Sequence, residues 1–444
     1  MASYLLRNSP VPTSEKKFTF STWFKICEAD TERGIVEWYK SSTERHHIFL
    51  DTSGTLRCYS MEGGVVKINI ITNALFRDFS AWYHIVIQSD NTLASSSDRY
   101  KLWVNGVAQT FSTYTWTFPQ NNNINVFDGS GTRLNLGTVG EAYATWLNGY
   151  LADTYYIDGS IIAYTEFGET DATTGIWKPK TEPTIASFGN AGVHLKYENS
   201  GNIGLDSSGN GNNFSTSGTI TQTVDTPSNV FCTMNPLSRP NSNANTFSNG
   251  NNTLSTTTLA FVPSFATLGM NSGKWYWEAK VYGTDMKHSI GISKPQEVLS
   301  YIGTTAGSYA FDSENARKVN NNVFTGYGVA SSTNDILMIA FDADNGSIWV
   351  GKNGTWFNSA TQSEIENGTT TNAMFSSITM NDYFVPAVSQ DNSSIDFNFG
   401  NGYFGTTAVS SATSDESGLG IFEYTVPSGY YALCTKNINE QEYD

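Results

Sequence analysis

Few residues of this chain have types and spacing that could do chemistry, and the sharpest group is Glu28-Ala29-Asp30-Thr31-Glu32. On a strand, carboxylates at i, i+2 and i+4 stand on one face. Two of them flanking a glycosidic bond could serve as nucleophile and acid. Against this, Ala29 and Thr31 are not the large apolar spacers that would bury such a strand, and Arg33–Gly34 reads as a turn. A solvated acidic loop is the favoured reading. His46 and His47 begin a strand, so they point to opposite faces and cannot chelate together. His84, inside WYHIVI, reads as a packed strand residue. Cys27, Cys58, Cys232 and Cys434 lack CxxC or Cys/His metal spacing and fit thiols kept reduced in cytosol. No HExxH, GxSxG or phosphate-binding glycine loop occurs.

The elements that would carry these residues are strands. Of 444 residues only 15% are charged while 14% are aromatic, and 39 are Gly. Aromatic and β-branched residues suit a pleated, half-buried surface, and Gly with Asn suits tight turns. No segment keeps helical apolar spacing beyond about three turns. The net charge of −16 repels a phosphate backbone and anionic lipid, which argues against nucleic-acid and membrane partners. No apolar run is long enough to cross a bilayer as a helix. The apolar run in MASYLLRNSPVP is too short for the core of a signal peptide.

FTFSTWFKI (18–26) alternates, with Phe18, Phe20 and Thr22 on one face and Thr19, Ser21 and Trp23 on the other. HHIFLD, TLRCYS, VVKINII, WYHIVIQSD, YKLWVNGV and GYLADTYYIDG follow, and Asn105–Gly106 signals a type I′ hairpin turn. Short strands with regular turns over residues 1–180 predict a sandwich. Residues 181–225 read as a partly ordered connecting segment, and 226–444 as a second strand-rich unit. That unit runs GKWYWEAKV, HSIGIS, SYAFD, DILMIAFDADNGSIWVGKNGTWFN, YFVPAVSQ and SIDFNFGNGYF, with hairpin signals at Asn345–Gly346 and Asn353–Gly354. In GKWYWEAKV, alternation puts Trp275 and Trp277 with Ala279 and Val281, and Tyr276, Glu278 and Lys280 opposite. This predicts a core strand rather than an exposed sugar platform. The fold class expected is all-β, two antiparallel sandwiches in series.

Two smaller expectations follow. The phrases FCTM and LCTK bracket the second unit, so Phe231–Met234 is expected to pair with Ala432–Lys436, with both thiols reduced. The N-terminal stretch from Met1 to Lys17, with Pro10 and Pro12, reads either as an attachment arm or as a first strand at Tyr4–Leu6.

FTFSTWFK, AWYHIV, YKLWVNG and GYLADTYYIDG resemble a concanavalin A-like jelly roll of the laminin-G/pentraxin type. GKWYWEAKV, SIGIS, YIGTTAGSYAF, DILMIAFDADNGSIWVGKNGTWF and YFVPAVS resemble a SPRY domain. The linking phrases FGETDATTGIWKPK, GLDSSGNGNNFS and VDTPSNVFCTMNPL, with the ending PSGYYALCTKNI, are similar to tailed-phage proteins, chiefly of marine phages, with this domain order. The resemblance implies a non-enzymatic virion protein assembled in the host cytoplasm: a tail fibre, a receptor-binding protein or, alternatively, a capsid decoration. Implied partners are other virion proteins, a host-surface glycan or protein, and further copies of the chain, a trimer being the usual fibre form. The competing class is a glycan-degrading enzyme, since the spacing of Glu28, Asp30 and Glu32 is similar to that of retaining β-glucanases on the jelly-roll fold. Related folds bind calcium, which makes Asp153, at the family's acidic strand position, and Asp158 the metal candidates; no other cofactor is implied. One departure stands out. DSSGNGN ordinarily opens a laminin-G-like domain but here follows the jelly-roll strands, so VHLKYE, within 191–198, is a candidate to close the first sandwich as in a permuted jelly roll.

Overall fold

The alternation of FTFSTWFKI builds the central strand of the first sandwich, Lys17–Ile26, in a computed structural model of the chain. The structure describes residues 3–28, 31–140, 145–238, 245–283, 287–295, 297 and 300–443. Two compact units, Met1–Gln222 and Thr223–Asp444, divide the chain.

In the first unit a six-stranded antiparallel sheet runs in the order Val193–Leu195, Gly149–Asp158, Lys17–Ile26, Tyr83–Asp90, Tyr100–Val104, Val107–Ala108. Opposite it lies an eight-stranded sheet: Phe111–Trp116, Val65–Leu75, Thr55–Glu62, Glu44–Leu50, Arg33–Ser41, Arg133–Leu136, Tyr4–Asn8, Ser215–Ser217. Phe18, Phe20, Trp38, Ile48, Ile85 and Ile87 fill the space between them. Asn105 (φ 48°) and Gly106 (φ 75°) make the two-residue turn that pairs Val104 with Val107. His46 points into this core against Phe18, Trp38 and Phe127, and its neighbour His47 points to the other face, 2.7 Å from Glu37 Oε1.

Tyr4–Asn8 pairs on both sides, with Arg133–Leu136 and with Ser215–Ser217. The N-terminal stretch therefore supplies an interior strand rather than an arm at these residues. Val193–Leu195 pairs with Gly149–Asp158, so much of the segment read as a connector (181–225) is built into the first sandwich. The physical reason lies in Asp206 of DSSGNGN. Its carboxylate accepts the backbone N–H groups of His194, Ser208 and Asn212, which folds the turn back onto the new edge strand.

In the second unit the six-stranded sheet runs Val262–Phe265, Val385–Gln390, His288–Ser293, Ser308–Asp312, Arg317–Asn320, Val323–Gly326. The eight-stranded sheet has Lys274–Tyr282 between Ser394–Asn398 and Ile336–Asp342, and Tyr431–Ala432 adds beside it in parallel. Trp275, Trp277, Ala279 and Val281 all point into the core between the sheets. Asn353–Gly354 is a two-residue turn joining Lys352 to Thr355, whereas the Asn345–Gly346 signal sits in a four-residue loop between Asp342 and Ser347. Phe231 bridges Cys434, Cys232 N–H donates to the Leu433 carbonyl, and Thr435 N–H donates to that of Val230. Cys232 is offset from Cys434 by one residue across this pair, and the two thiols enter different clusters.

Candidate binding site

Glu28 and Glu32 lie in the loop between Lys17–Ile26 and Arg33–Ser41, so the same-face geometry of a strand does not apply to them; Asp30 lies outside the described residues. Glu28 is half exposed, accepts the Asn148 amide at 2.6 Å and stands 3.3 Å from the guanidinium of Arg33. Asp153 sits in a bulge of Gly149–Asp158, where Asp153 and Thr154 together oppose Thr22, and it adopts φ 48°. Its Oδ1 is 2.8 Å from His194 Nε2, and the Tyr155 ring stacks on that imidazole at 4.0 Å. Asp158 is buried and accepts the backbone N–H groups of Thr13, Ser14 and Ala191. The two aspartates are five residue steps apart along the strand, roughly 16 Å. The structure does not bring them together, and among the described residues no three His, Cys, Asp or Glu side chains converge on a metal position.

Two arrangements were not legible in the sequence. On the outer face of the six-stranded sheet of the first unit, Ser21 Oγ lies 2.8 Å from His84 Nε2. A serine–histidine pair suggests nucleophilic chemistry, but its protonation runs the wrong way. Trp177 Nε1–H donates to His84 Nδ1 at 2.9 Å, so the neutral ring carries its proton on Nε2 and donates to Ser21. Such a histidine cannot accept the serine proton. Burial holds His84 near pKa 3, hence neutral, and Ser21 is fully buried.

The second is Glu278, on the face of Lys274–Tyr282 that faces away from the core between the sheets. That face is not solvated: Tyr276 packs there among Phe231, Trp349, Phe422, Tyr430 and Ala432. The Glu278 carboxylate accepts Tyr276 O–H (3.0 Å), Asn398 Nδ2–H (3.2 Å) and the backbone N–H groups of Glu423 and Tyr424 (both 2.9 Å). These donors lower its pKa, but burial outweighs them and pushes it up to about 7. Every donor belongs to the protein itself, which makes Glu278 a fastener for the 421–424 segment rather than a ligand group.

An open cleft of about 420 Å³ lies in the first unit. Its floor is the Asn105–Gly106 turn, and its walls are the short hairpin of Gly168–Thr170 with Trp177–Pro179 and the preceding turn at Tyr164. Trp177 is seated by close approach of two glycines, since a Cβ on Gly106 or Gly168 would fall 2.6 or 2.5 Å from its ring. Tyr164 stacks on Trp103 at 5.3 Å and lies 6.0 Å from Trp177. Around these half-buried rings stand Asn105, Glu169 and Lys180. Asn105 Oδ1 accepts His84 N–H, which leaves the amide N–H₂ as a donor. Lys180 is held 3.1 Å from Glu166, and Lys178 bonds Asp171, holding that carboxyl well below its usual range. Apolar ring faces bordered by an amide, a carboxylate and an ammonium suit a ligand with both C–H faces and hydroxyls.

Comparison with known proteins agrees with these two architectures. Residues 2–156 match the model of the concanavalin A-like lectin/glucanases superfamily, and residues 274–402 match that of the SPRY domain. No curated protein matches the chain. Among solved structures, the SPRY domain of human HERC1 aligns at 14% identity over 37% of this chain and 96% of its own, with a TM-score of 0.30. A human SPRY domain aligns at 15% identity over 35% and 94%, with a TM-score of 0.27. The heptameric SAP-like pentraxin of Limulus polyphemus aligns at 14% identity over 36% and 72%, also at 0.27.

Proposed function

From a concanavalin A-like/laminin-G jelly roll followed by a SPRY domain, we propose a non-catalytic adhesion protein whose jelly roll binds a surface glycan in the Tyr164–Trp177 cleft. The observation that carries this reading is the pairing of two half-buried rings with Asn105, Glu169 and Lys180 around an open space of ligand size. The inverted Ser21–His84 proton and the placement of Glu28 and Glu32 in a loop favour binding over bond cleavage. The similarity of the linking phrases to marine-phage proteins supports a virion surface as its setting, with a host glycan as ligand and other virion proteins as neighbours. A glycan array probed with the full chain tests it. The expected result is a defined set of bound oligosaccharides, with Tyr164→Ala and Glu169→Ala each weakening binding by about tenfold or more and no reducing ends released. Failure to bind any glycan, or equal binding by both variants, would refute the cleft. Reducing ends released by the wild type but not by Glu28→Gln would favour the glycosidase.

A further inference from the structure

The last strand of the six-stranded sheet in the second unit, Val323–Gly326, is exposed at all four residues. It pairs on one side only, with Arg317–Asn320, through the two-residue turn Asn321 (φ 49°) and Asn322 (φ 60°). In such a hairpin the residues flanking the turn exchange hydrogen bonds, so Asn320 bonds Val323 and Lys318 bonds Thr325. The N–H and C=O groups of Phe324 and Gly326 therefore point outward, and no other described segment bonds to them.

An open edge is ordinarily blunted by charge, proline or a covering loop. Among the described residues, the strand itself carries no charge or proline and no further segment pairs with it. Residues 319–334 form a run without a single charged side chain, in a protein of net charge −16. Beside the edge lies an aromatic ledge: Phe324 is 41% exposed, Tyr301 lies 6.3 Å from it, and Phe261 lies 5.5 Å from Tyr301. Arg317 covers Phe324 from the adjoining strand at 4.6 Å, and its charge is met by Asp312 at 2.6 Å.

Gly326 indicates what belongs there. Its φ is not positive, and a Cβ built on it meets nothing within 4 Å. Neither the backbone nor the packing of this chain requires glycine at that position, where glycine weakens a strand. We propose that the edge pairs with the same edge of a second copy, antiparallel about a two-fold axis at Thr325. In that register Phe324 lies opposite the partner's Gly326, and the reverse. All four outward backbone groups of each copy are then bonded, and the absent side chain of Gly326 makes room for the partner's ring. A second copy suits this surface because the pairing strand itself is uncharged and the one cation beside it, Arg317, is already met by Asp312, whereas most of the acidic surface would repel its own copy.

Sedimentation equilibrium of the full chain over a wide concentration range tests the pairing, with Gly326→Lys and Phe324→Lys alongside. Both substituted side chains project into solvent in the single copy, and circular dichroism confirms that the variants fold. The expected result is a monomer–dimer equilibrium for the wild type, with the dissociation constant raised at least about tenfold in each variant. A wild type that stays monomeric at the highest concentration overturns the proposal, even if its edge captures an unrelated extended peptide. So does self-association that both variants leave unchanged.

Discussion

The two central strands, Lys17–Ile26 and Lys274–Tyr282, are each buried on both faces, yet their outer covers are fastened by different chemistry. In the first unit the fastening of the cover to the central strand is neutral: Ser21, His84 and the indole N–H of Trp177 form one chain of hydrogen bonds, while the ion pairs Lys178–Asp171 and Lys180–Glu166 lie within the cover itself. In the second it is held by a carboxylate with four donors and no cation among them. A neutral relay and a buried acid can lock segments equally well at one pH, but they respond to protons with opposite sign.

The largest effect should come from removing the acid. Glu278→Ala leaves two backbone N–H groups, a phenol and an amide without their acceptor inside a closed cluster. A loss of about 4 kcal/mol is expected. Hydrogen exchange should rise over 421–434 and 274–282, with the first unit unaffected; unchanged protection of those peptides would break the comparison.

The contrast also shows what the sequence could disclose. Alternation in GKWYWEAKV located the inner face, and in FTFSTWFKI it separated the two faces, because burial between two sheets imposes a period of two. The outer faces were illegible. Their covers, around residues 160–190 and 403–434, are irregular segments held by single side chains, with no periodicity of their own. Glu278 therefore read only as a member of the mostly polar face it shares with Tyr276 and Lys280. The bulge at Asp153 was equally silent, since nothing in GYLADTYYIDG marks where an extra residue enters the ladder. The Asn105–Gly106 turn was legible because both positions need positive φ, and it proved to be the floor of the cleft.

Acid should separate the two units next. Burial lowers His46 and His84 to a pKa of about 3, so the unfolded chain takes up protons first as pH falls below 6.5. Stability of the first unit is then full above that pH, and each histidine costs about 2 kcal/mol by pH 5. Glu278 runs the other way. Its folded pKa of about 7 lies above the ordinary 4.5, so its contribution is full below 4.5 and fades as pH rises through 7, by on the order of 3 kcal/mol. His288 is also buried in the second unit, so the Glu278 share is read as the difference between wild type and Glu278→Gln. Exchange protection of 17–26 and 83–90 should weaken from pH 7 to pH 5. The gap between wild type and Glu278→Gln over 421–434 should widen in wild type's favour over the same change. Parallel responses would remove the distinction.

A smaller effect is expected at Trp177. Trp177→Ala removes a half-buried ring and the donor to His84 Nδ1, at a cost of about 2 kcal/mol, felt mainly by the Gly168–Thr170 hairpin. His84 can then exchange tautomers, which imidazole NMR would register as loss of a fixed Nε2 proton. A ring that keeps its proton on Nε2 in the variant would show that Trp177 does not set the tautomer.

The smallest effect belongs to Asp153, and it sharpens what an acidic residue at a bulge is for. Its conformation, φ 48°, is one that asparagine adopts readily, and an asparagine oxygen can still accept from His194 Nε2–H. Asp153→Asn should therefore change stability by no more than about 0.5 kcal/mol, the low end of what one partly exposed hydrogen bond contributes. A calcium ligand would behave differently. Calcium needs six or more oxygens, and here the nearest partner of Asp153 is an imidazole, while Asp158 is occupied by three backbone N–H groups about 16 Å away. Millimolar calcium is accordingly expected to leave the melting temperature of the wild type and of Asp153→Asn unchanged. A calcium-dependent rise in the wild type that Asp153→Asn abolishes would mean that the Asp153–His194 contact opens to admit the ion, and that the bulge serves binding rather than the joining of the Val193–Leu195 edge to its sheet.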